Sequence, residues 1–351
     1  MRLLVLSGAG VRAALGYRAC AQAMREVLAA RAAGEVYQPL RSVLRPDGAA
    51  GLMALMPSYR AGSPAGYGLK AICITPGNPA AGLDSHQGIV LLSSAETGEP
   101  LAVLNASAVT EIRTAAVSAV ATSLLARAGA GVLAVIGTGV QARAHVAAIA
   151  ATRRLVQVRV AGSSPERAAA FAAGPARAAL AEAGAEAGAV AGAVAGAAGG
   201  PEVVACDGAR DAVAGAGIVV TATTSAVPVL RREWLAPGAH VNAVGACVPG
   251  ARELDTATVA GAALYADSRD SVLAEAGDYL LAAADGAVGP GHIRAEIGDL
   301  LAGDGPGLGR QSAEEITVFE SLGLAIEDLA AAAVADQAAA ASGAGSWVEF
   351  G

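Results

Sequence analysis

The chain has 351 residues, of which 54% are hydrophobic and 16% charged, so it is globular, not disordered, and long enough for two domains. A net charge of −7 with 3% aromatic residues argues against a nucleic-acid or membrane-surface partner. Four widely separated cysteines (Cys20, Cys73, Cys206, Cys247) with no C-x-x-C predict reduced thiols in a cytoplasmic protein, with neither a disulfide framework nor a metal site.

The opening apolar run breaks at Ser7-Gly8, too soon for a signal peptide, and no stretch has the bulky apolar side chains of a membrane span. Cys20, Met24, Val27 and Leu28 lie at helical spacing within 17–33, and Gly34 stops that helix. Short β-like runs follow at Leu40–Leu44, Gly51–Met56, Leu69–Ile74, Gly88–Ser93 and Pro100–Asn105. Turn clusters separate them, which predicts a mostly antiparallel sheet. Val109 to Arg127 reads as a long helix capped by Ser107.

From Val132 the pattern becomes strand-helix alternation, the mark of a doubly wound parallel sheet. Its strands are expected at Leu133–Ile136, Val156–Ala161, Val203–Cys206, Ile218–Ala222 and Ala239–Ala243, with helices from Val140, Pro165 and Asp207. The Ala- and Gly-rich segment 172–201 reads as a ragged helix passing into a surface loop. The tail from Ile316 reads as T-V-F-E-S-L-G and an Ala-rich helix that packs back on the first domain. The fold class is therefore α/β: a Rossmann domain over 128–311, and a discontinuous α+β substrate and dimerisation domain built from 1–127 and 312–351.

The first Rossmann strand runs into G-T-G-V-Q-A, a phosphate-binding turn. Gly137 permits the tight turn and Gly139 lets a pyrophosphate approach the backbone. Thr138, Val140 and Gln141 complete the turn, and Ala142 is small enough for the helix to lie on its strand. The helix N-terminus adds free N–H groups and about half a positive charge. Coenzyme choice falls at the end of the second strand, where an acidic residue would bind the ribose of NAD. Gly162 stands there, followed by Ser163, Ser164 and Arg167, a set suited to a 2′-phosphate. NADP(H) is favoured on that ground, with NAD(H) the alternative. Ser164 also suits a helix N-cap with Pro165 behind it. Thr223, Asn242 and Val244 fall at later strand ends, where such sheets hold cofactors.

Q-P-L-R (38–41), L-M-P-S-Y (55–59), G-L-K (68–70), S-H-Q-G (85–88), E-I-R-T-A-A (111–116), G-T-G-V-Q-A (137–142), R-E-L-D (252–255) and T-V-F-E-S-L-G (317–323) occur in this order. T-A-T-T-S-A-V-P-V-L (221–230) and P-G-A-H-V-N-A-V-G-A (237–246) belong to the same set. Together they resemble the ornithine cyclodeaminase/μ-crystallin family from about residue 36 to 330. The resemblance implies a homodimer, an N-terminal substrate domain and a Rossmann domain for NAD(P). It implies that Arg41, Lys70 and Arg113 hold a substrate carboxylate and that Met56 lines the pocket. It places Ser85 and His86 near the nicotinamide, with Thr114 and Ser321 among the cofactor residues.

Lys70 is the single lysine in the chain, and an ammonium, unlike a guanidinium, changes its pKa readily on burial. Charge-assisted bonds from the two arginines to a carboxylate contribute roughly 1.5–3 kcal/mol each. His86 is a second candidate for proton handling, whereas His145 reads as structural. Cys247 is a departure: the cyclodeaminase branch carries an acid/base aspartate there, and a thiol is a poor substitute. Cys247 is instead expected to line the pocket. The reading is an NAD(P)H-dependent reductase of 2-imino acids, which could also run as an amino-acid dehydrogenase. The alternatives are an ornithine cyclodeaminase-like ammonia lyase and a non-catalytic NADPH- or ligand-binding protein.

Overall fold

Burial alternates with period two along most strands of the first sheet, as in a sheet covered on one face. In the computed structural model, which describes residues 2–62, 64–190, 200–303 and 307–351, these are β1 (Arg2–Leu6), β2 (Val36–Tyr37), β3 (Ser42–Leu44), β4 (Leu52–Arg60), β5 (Gly66–Ile74), β6 (His86–Ser94) and β7 (Pro100–Asn105). β4 to β7 form an antiparallel meander, with β2 and β3 both paired to β4. β1 pairs parallel to β7 and antiparallel to a C-terminal strand, Ser346–Glu349. The Ala325–Ser342 helix lies across β4, β5 and β6 and against the Tyr17–Ala32 helix. Gly68 sets how closely it lies: a Cβ there would stand 2.9 Å from Leu329 Cβ. Ser58 Oγ, on β4, donates to the Ala325 carbonyl at 3.1 Å.

The second sheet is wholly parallel. It comprises β8 (Val132–Ile136), β9 (Gln157–Ala161), β10 (Glu202–Ala205), β11 (Ile218–Thr221), β12 (His240–Ala243), β13 (Ala263–Ala266), β14 (Ile293–Glu296) and β15 (Thr317–Glu320). Their order is β10-β9-β8-β11-β12-β15-β13-β14. β11, β12, β13 and β15 are buried at every residue, as parallel strands covered on both faces must be. The order reverses between β8 and β11, so the carboxyl ends of these two strands flank the switch point where such sheets bind ligands.

The chain divides into two units, Met1–Arg113 with Gly323–Gly351, and Thr114–Leu322. The first break falls inside the Ala106–Leu125 helix, before residue 127. The second lies after Leu322 because Thr317–Glu320, expected with the first domain, is a strand between β12 and β13 of the second sheet. Its four residues are all buried, and pairing on both sides satisfies its backbone. β1, the C-terminal strand, β13 and β14 were not expected from the sequence pattern. Ser107 is not the helix cap: the helix starts at Ala106, and Asn105 Oδ1 accepts from Ala108 N at 2.9 Å. Of the segment 172–201, expected to be a ragged helix passing into a loop, Pro175–Val190 is helical and 191–199 lie outside the described residues. Ala106–Leu125 is, among the described residues, the one helix long and apolar enough to cross a membrane, and 83% of its apolar window is buried in the fold.

Phe319, fully buried in β15, fixes the second sheet between β12 and β13. Phe319→Ala is expected to cost about 3–5 kcal/mol, read as a lower urea midpoint; a change within error would contradict the central placement of this strand.

Candidate active site

Lys70 sits on the buried face of β5, opposite Met56 on β4 and Val90 on β6. It is 3% exposed, in a layer whose other side chains are largely apolar. An isolated ammonium there would be costly. Its Nζ lies 2.7 Å from Asp328 Oδ2, and Arg113 Nε donates to the other oxygen of Asp328 at 3.0 Å. Arg113 Nη1 donates to Glu327 Oε2 at 3.1 Å. Arg41 Nη2 donates to the Gly323 carbonyl at 3.1 Å. Gly323 is required twice: its φ is +79°, and a Cβ would stand 2.5 Å from Arg113 Nη1. The structure thus brings Arg41, Lys70 and Arg113 to one place, around the first turn of the Ala325–Ser342 helix.

Burial would raise the Asp328 carboxyl, but Lys70 and Arg113 override it and hold it below the ordinary carboxylate value. Burial pulls Lys70 down to about 8, against the charge of Asp328, which raises it; Arg113 and Arg41 add to the lowering. His86 lies at the start of β6, its Nδ1 3.0 Å from Ser85 Oγ. Burial and Lys70 lower its pKa against the opposing charge of Asp84, so the neutral ring is favoured.

In the second unit the glycine turn has the expected form. Gly137 has φ +131°, and a Cβ would stand 2.4 Å from the Ala222 carbonyl oxygen at the end of β11. A Cβ on Gly139 would meet nothing within 4 Å, which leaves the N-terminus of the Val140–Thr152 helix open to a phosphate. No side chain caps that helix and no acid lies in its first turn. Ala142 is fully buried, and Thr138, Val140 and Gln141 are partly or fully exposed at the turn. This combination fits a dinucleotide. Gly162 ends the strand region of β9, where a Cβ would stand 3.0 Å from Thr138 Cγ2 and 3.2 Å from Ala168 N. A side chain at 162 would require these neighbours to give by a few tenths of an ångström. Ser164 caps the Pro165–Ala173 helix, and Arg167 Nη1 donates to Ser163 Oγ at 3.4 Å.

Thr223 N and Gly245 N, in the loops after β11 and β12, each donate to Glu253 at 2.6 Å. Glu253 N and Leu254 N donate in turn to Asp278 Oδ1 at 2.7 and 2.8 Å. Asp267 Oδ2 accepts from Leu322 N at 2.7 Å. Glu320, at the end of β15, completes a buried acid group. Burial pushes Asp278 up to about 7 and raises Glu253; burial and the charges of Asp278, Glu253 and Asp267 raise Glu320 well above the usual carboxylate range. Val244 N bonds to the Thr221 carbonyl at 3.0 Å, and Ser321 N to that of Ala243 at 3.0 Å. The Ser321 hydroxyl is buried with no partner among the described residues.

Asn242, expected to meet the cofactor, is a core amide. It is fully buried one residue before the end of β12, donates to Thr122 Oγ1 at 2.9 Å and faces His240 Nε2 at 3.3 Å. Thr114 is buried inside the Ala106–Leu125 helix, and Cys247 is partly buried against the core of the second unit. His145 is fully buried between Ser118 Oγ and the Gln141 carbonyl, with its pKa lowered by burial to about 4. The sequence reading missed Glu327, Asp328, Gly323 and Glu253. Glu327-Asp328 is an acid pair heading an otherwise Ala-rich helix, and Glu253 lies in the R-E-L-D stretch, so both left a trace.

A parallel sheet with an open glycine turn, and a unit that gathers Arg41, Lys70 and Arg113 around one helix turn, define an α/β protein with a Rossmann-type half. The match to known proteins agrees: residues 2–342 fit the ornithine cyclodeaminase/mu-crystallin family, and the chain belongs to it. The ketimine reductase mu-crystallin of Mus musculus is 38% identical over 299 residues, 85% of this chain and 84% of that protein. The structure of Thermococcus litoralis Delta(1)-pyrroline-2-carboxylate reductase, solved with NADH and L-proline, matches with a TM-score of 0.87 at 31% identity, covering 98% of this chain and 99% of that one. An archaeal alanine dehydrogenase dimer with bound NAD matches with a TM-score of 0.87 at 30% identity over the whole of both chains.

Gly137→Ala is expected to abolish binding of reduced nicotinamide nucleotides, read by their fluorescence, while the chain stays folded; retained binding would remove the turn from the site. A second expectation concerns pH. Asp278 has a folded pKa of about 7 against an ordinary 3.8, so its contribution to stability is full at low pH and lost as pH rises through about 7. Thermal midpoints should therefore fall between about pH 5 and about pH 8. They should fall less in Asp278→Asn, which keeps an oxygen for the Glu253 and Leu254 N–H groups; parallel curves would refute this.

Proposed function

We propose that this chain reduces the C=N bond of a 2-imino acid with NAD(P)H. The observation that carries the reading is the gathering of three cations, Arg41, Lys70 and Arg113, around the first turn of the Ala325–Ser342 helix, with Lys70 and Arg113 sharing Asp328 and Arg113 also meeting Glu327. Such a cluster suits a substrate carboxylate. Arg41 and Arg113 hold that carboxylate with charge-assisted donors, and Met56 lines the same layer. Lys70 and His86 are the proton-handling groups. When bound, the reduced nicotinamide supplies the hydride. Orientation and fixed charge then supply most of the remaining catalysis.

NADP(H) is the preferred coenzyme in this reading. Ser163, Ser164 and Arg167 offer hydroxyls and a cation beyond β9, and the tight packing of Gly162 on Thr138 disfavours the acid that would select NAD. Gly137 to Gln141 hold the pyrophosphate. The loops bearing Thr223, Val244 and Ser321 surround the carboxyl ends of β11, β12 and β15, and the Ser321 hydroxyl has capacity for a bond to the cofactor. Cys247 in place of a carboxylate weighs against the ammonia-lyase reading. The working form is a homodimer. The uncovered face of the first sheet carries a row of apolar residues, Pro57, Leu69, Leu91, Val103 and Val5, paired across five strands, and such a patch calls for a partner surface. Four cysteines with no disulfide among the described residues suit a reducing cytoplasm.

The test is oxidation of NADPH and NADH against pyrroline-2-carboxylate, piperideine-2-carboxylate, and pyruvate or glyoxylate with ammonia or methylamine. Turnover is expected, faster with NADPH. Lys70→Met should lower kcat on the order of a hundredfold or more with nucleotide binding intact. Tight NADPH binding with no turnover on any imine would leave a binding protein; ammonia release from ornithine would restore the lyase.

A further inference from the structure

Asp328 lies on the first turn of the Ala325–Ser342 helix, 1% exposed, and its two oxygens are divided between two cations. Oδ1 takes the Arg113 Nε–H and Oδ2 takes Lys70 Nζ. Nothing about helix stability requires that arrangement: an exposed acid in the first turn would serve the helix dipole equally well. The helix is instead brought down onto β5, where Gly68 offers no Cβ and Ser58 fastens the Ala325 carbonyl. Asp328 reaches Lys70 only because of that close approach. Granted the imine-reductase reading above, we infer that Asp328 is a positioning residue that keeps Lys70 charged and aimed, so that Lys70 gives the substrate nitrogen its proton.

The imine carbon gains a hydride from the reduced nicotinamide, and the C=N π pair passes to nitrogen. Nitrogen forms its new N–H bond with a proton from Lys70 Nζ. Lys70 is left neutral and recovers a proton from solvent. The groups facing Lys70 are Asp328, which favours the ammonium, and Arg113 and Arg41, which oppose it; burial and the Lys70 charge lower the His86 pKa. Glu327 faces Arg113 from the same helix turn. Asp328 is thus the one carboxylate in contact with Lys70 among these groups. Without it, burial and two guanidinium groups would drive Lys70 toward the neutral amine, which cannot donate.

Because Lys70 is the chain's single lysine, protein carrying 13Cε-lysine gives one side-chain resonance. Its titration reports the site directly, with or without turnover. Wild type is expected to titrate near pH 8, where burial and its neighbours place Lys70, and the alkaline limb of kcat for imine reduction should share that midpoint. In Asp328→Asn both are expected to move down by about one pH unit or more, with kcat at neutral pH falling and KM changing less. Asp328→Glu, which keeps the charge, should restore the midpoint toward wild type. Gly68→Ala provides an independent variant should Asp328→Asn not fold: it pushes the helix off β5 and should shift Lys70 the same way. An unmoved resonance in the folded variants overturns the inference while leaving imine reduction intact. A shifted resonance in an enzyme that reduces no imine instead overturns the functional reading and the proton transfer assigned to Lys70.

Discussion

Burying an ammonium under a helix is the constraint on which the first unit depends. Lys70 and Arg113 are 3% and 4% exposed, and charges this deep persist only with matched partners at hydrogen-bond distance. Glu327 and Asp328 are those partners. Several local oddities of the sequence then share one cause. β5 alternates glycine with other residues at Gly66 and Gly68, so the helix can approach. Gly323 must be glycine because the Arg113 guanidinium occupies the space of its side chain. The helix that supplies the acids is mostly alanine, which permits that approach at little entropic cost.

The second unit answers a different demand with the same economy of side chains. Its glycine turn needs backbone room and free N–H groups, and β8, β11 and the Val140–Thr152 helix provide both. In the loops that follow β11 and β12, the N–H groups of Thr223 and Gly245 take a side-chain acceptor. Glu253 supplies it, bridging Thr223 and Gly245 with its two oxygens, and Asp278 holds the backbone of Glu253 in turn. A carboxylate that accepts backbone N–H bonds orders a loop more rigidly than solvent can, but packing several together raises their pKa values. The chain tolerates that cost at the mouth of its sheet.

The Rossmann half was legible because its signals are local: an apolar run, a glycine turn and a helix occupy adjacent positions. β13 and β14 escaped notice because Leu264 and Ile293 lie in runs of four residues, too short to show a period. β1 has five residues, and its meaning depends on β7 almost a hundred residues away. Thr317–Glu320 was visible as a motif but assigned to the wrong unit, since nothing in four apolar-rich residues says which sheet they enter. At the site, the cations stood out and the acids did not. Lys70 is conspicuous by being unique. Asp328 stands 258 positions further along, and only the folded helix brings it to 2.7 Å.

Under the proposed reaction, the use of one lysine among 24 basic residues follows from what each group would do. Arg41 and Arg113 are never asked to lose a proton, and guanidinium groups cannot do so in proteins. They are suited to holding a carboxylate. A group that gives up a proton and regains it each turnover needs a pKa close to the working pH. Burial alone would carry a lysine past that point toward a neutral amine, and an acid alone would pin the ammonium. The opposition of the two leaves Lys70 at about 8. An arginine at 70 would keep the charge of the cluster and lose the exchange, which is why the proposed imine reduction calls for a lysine there.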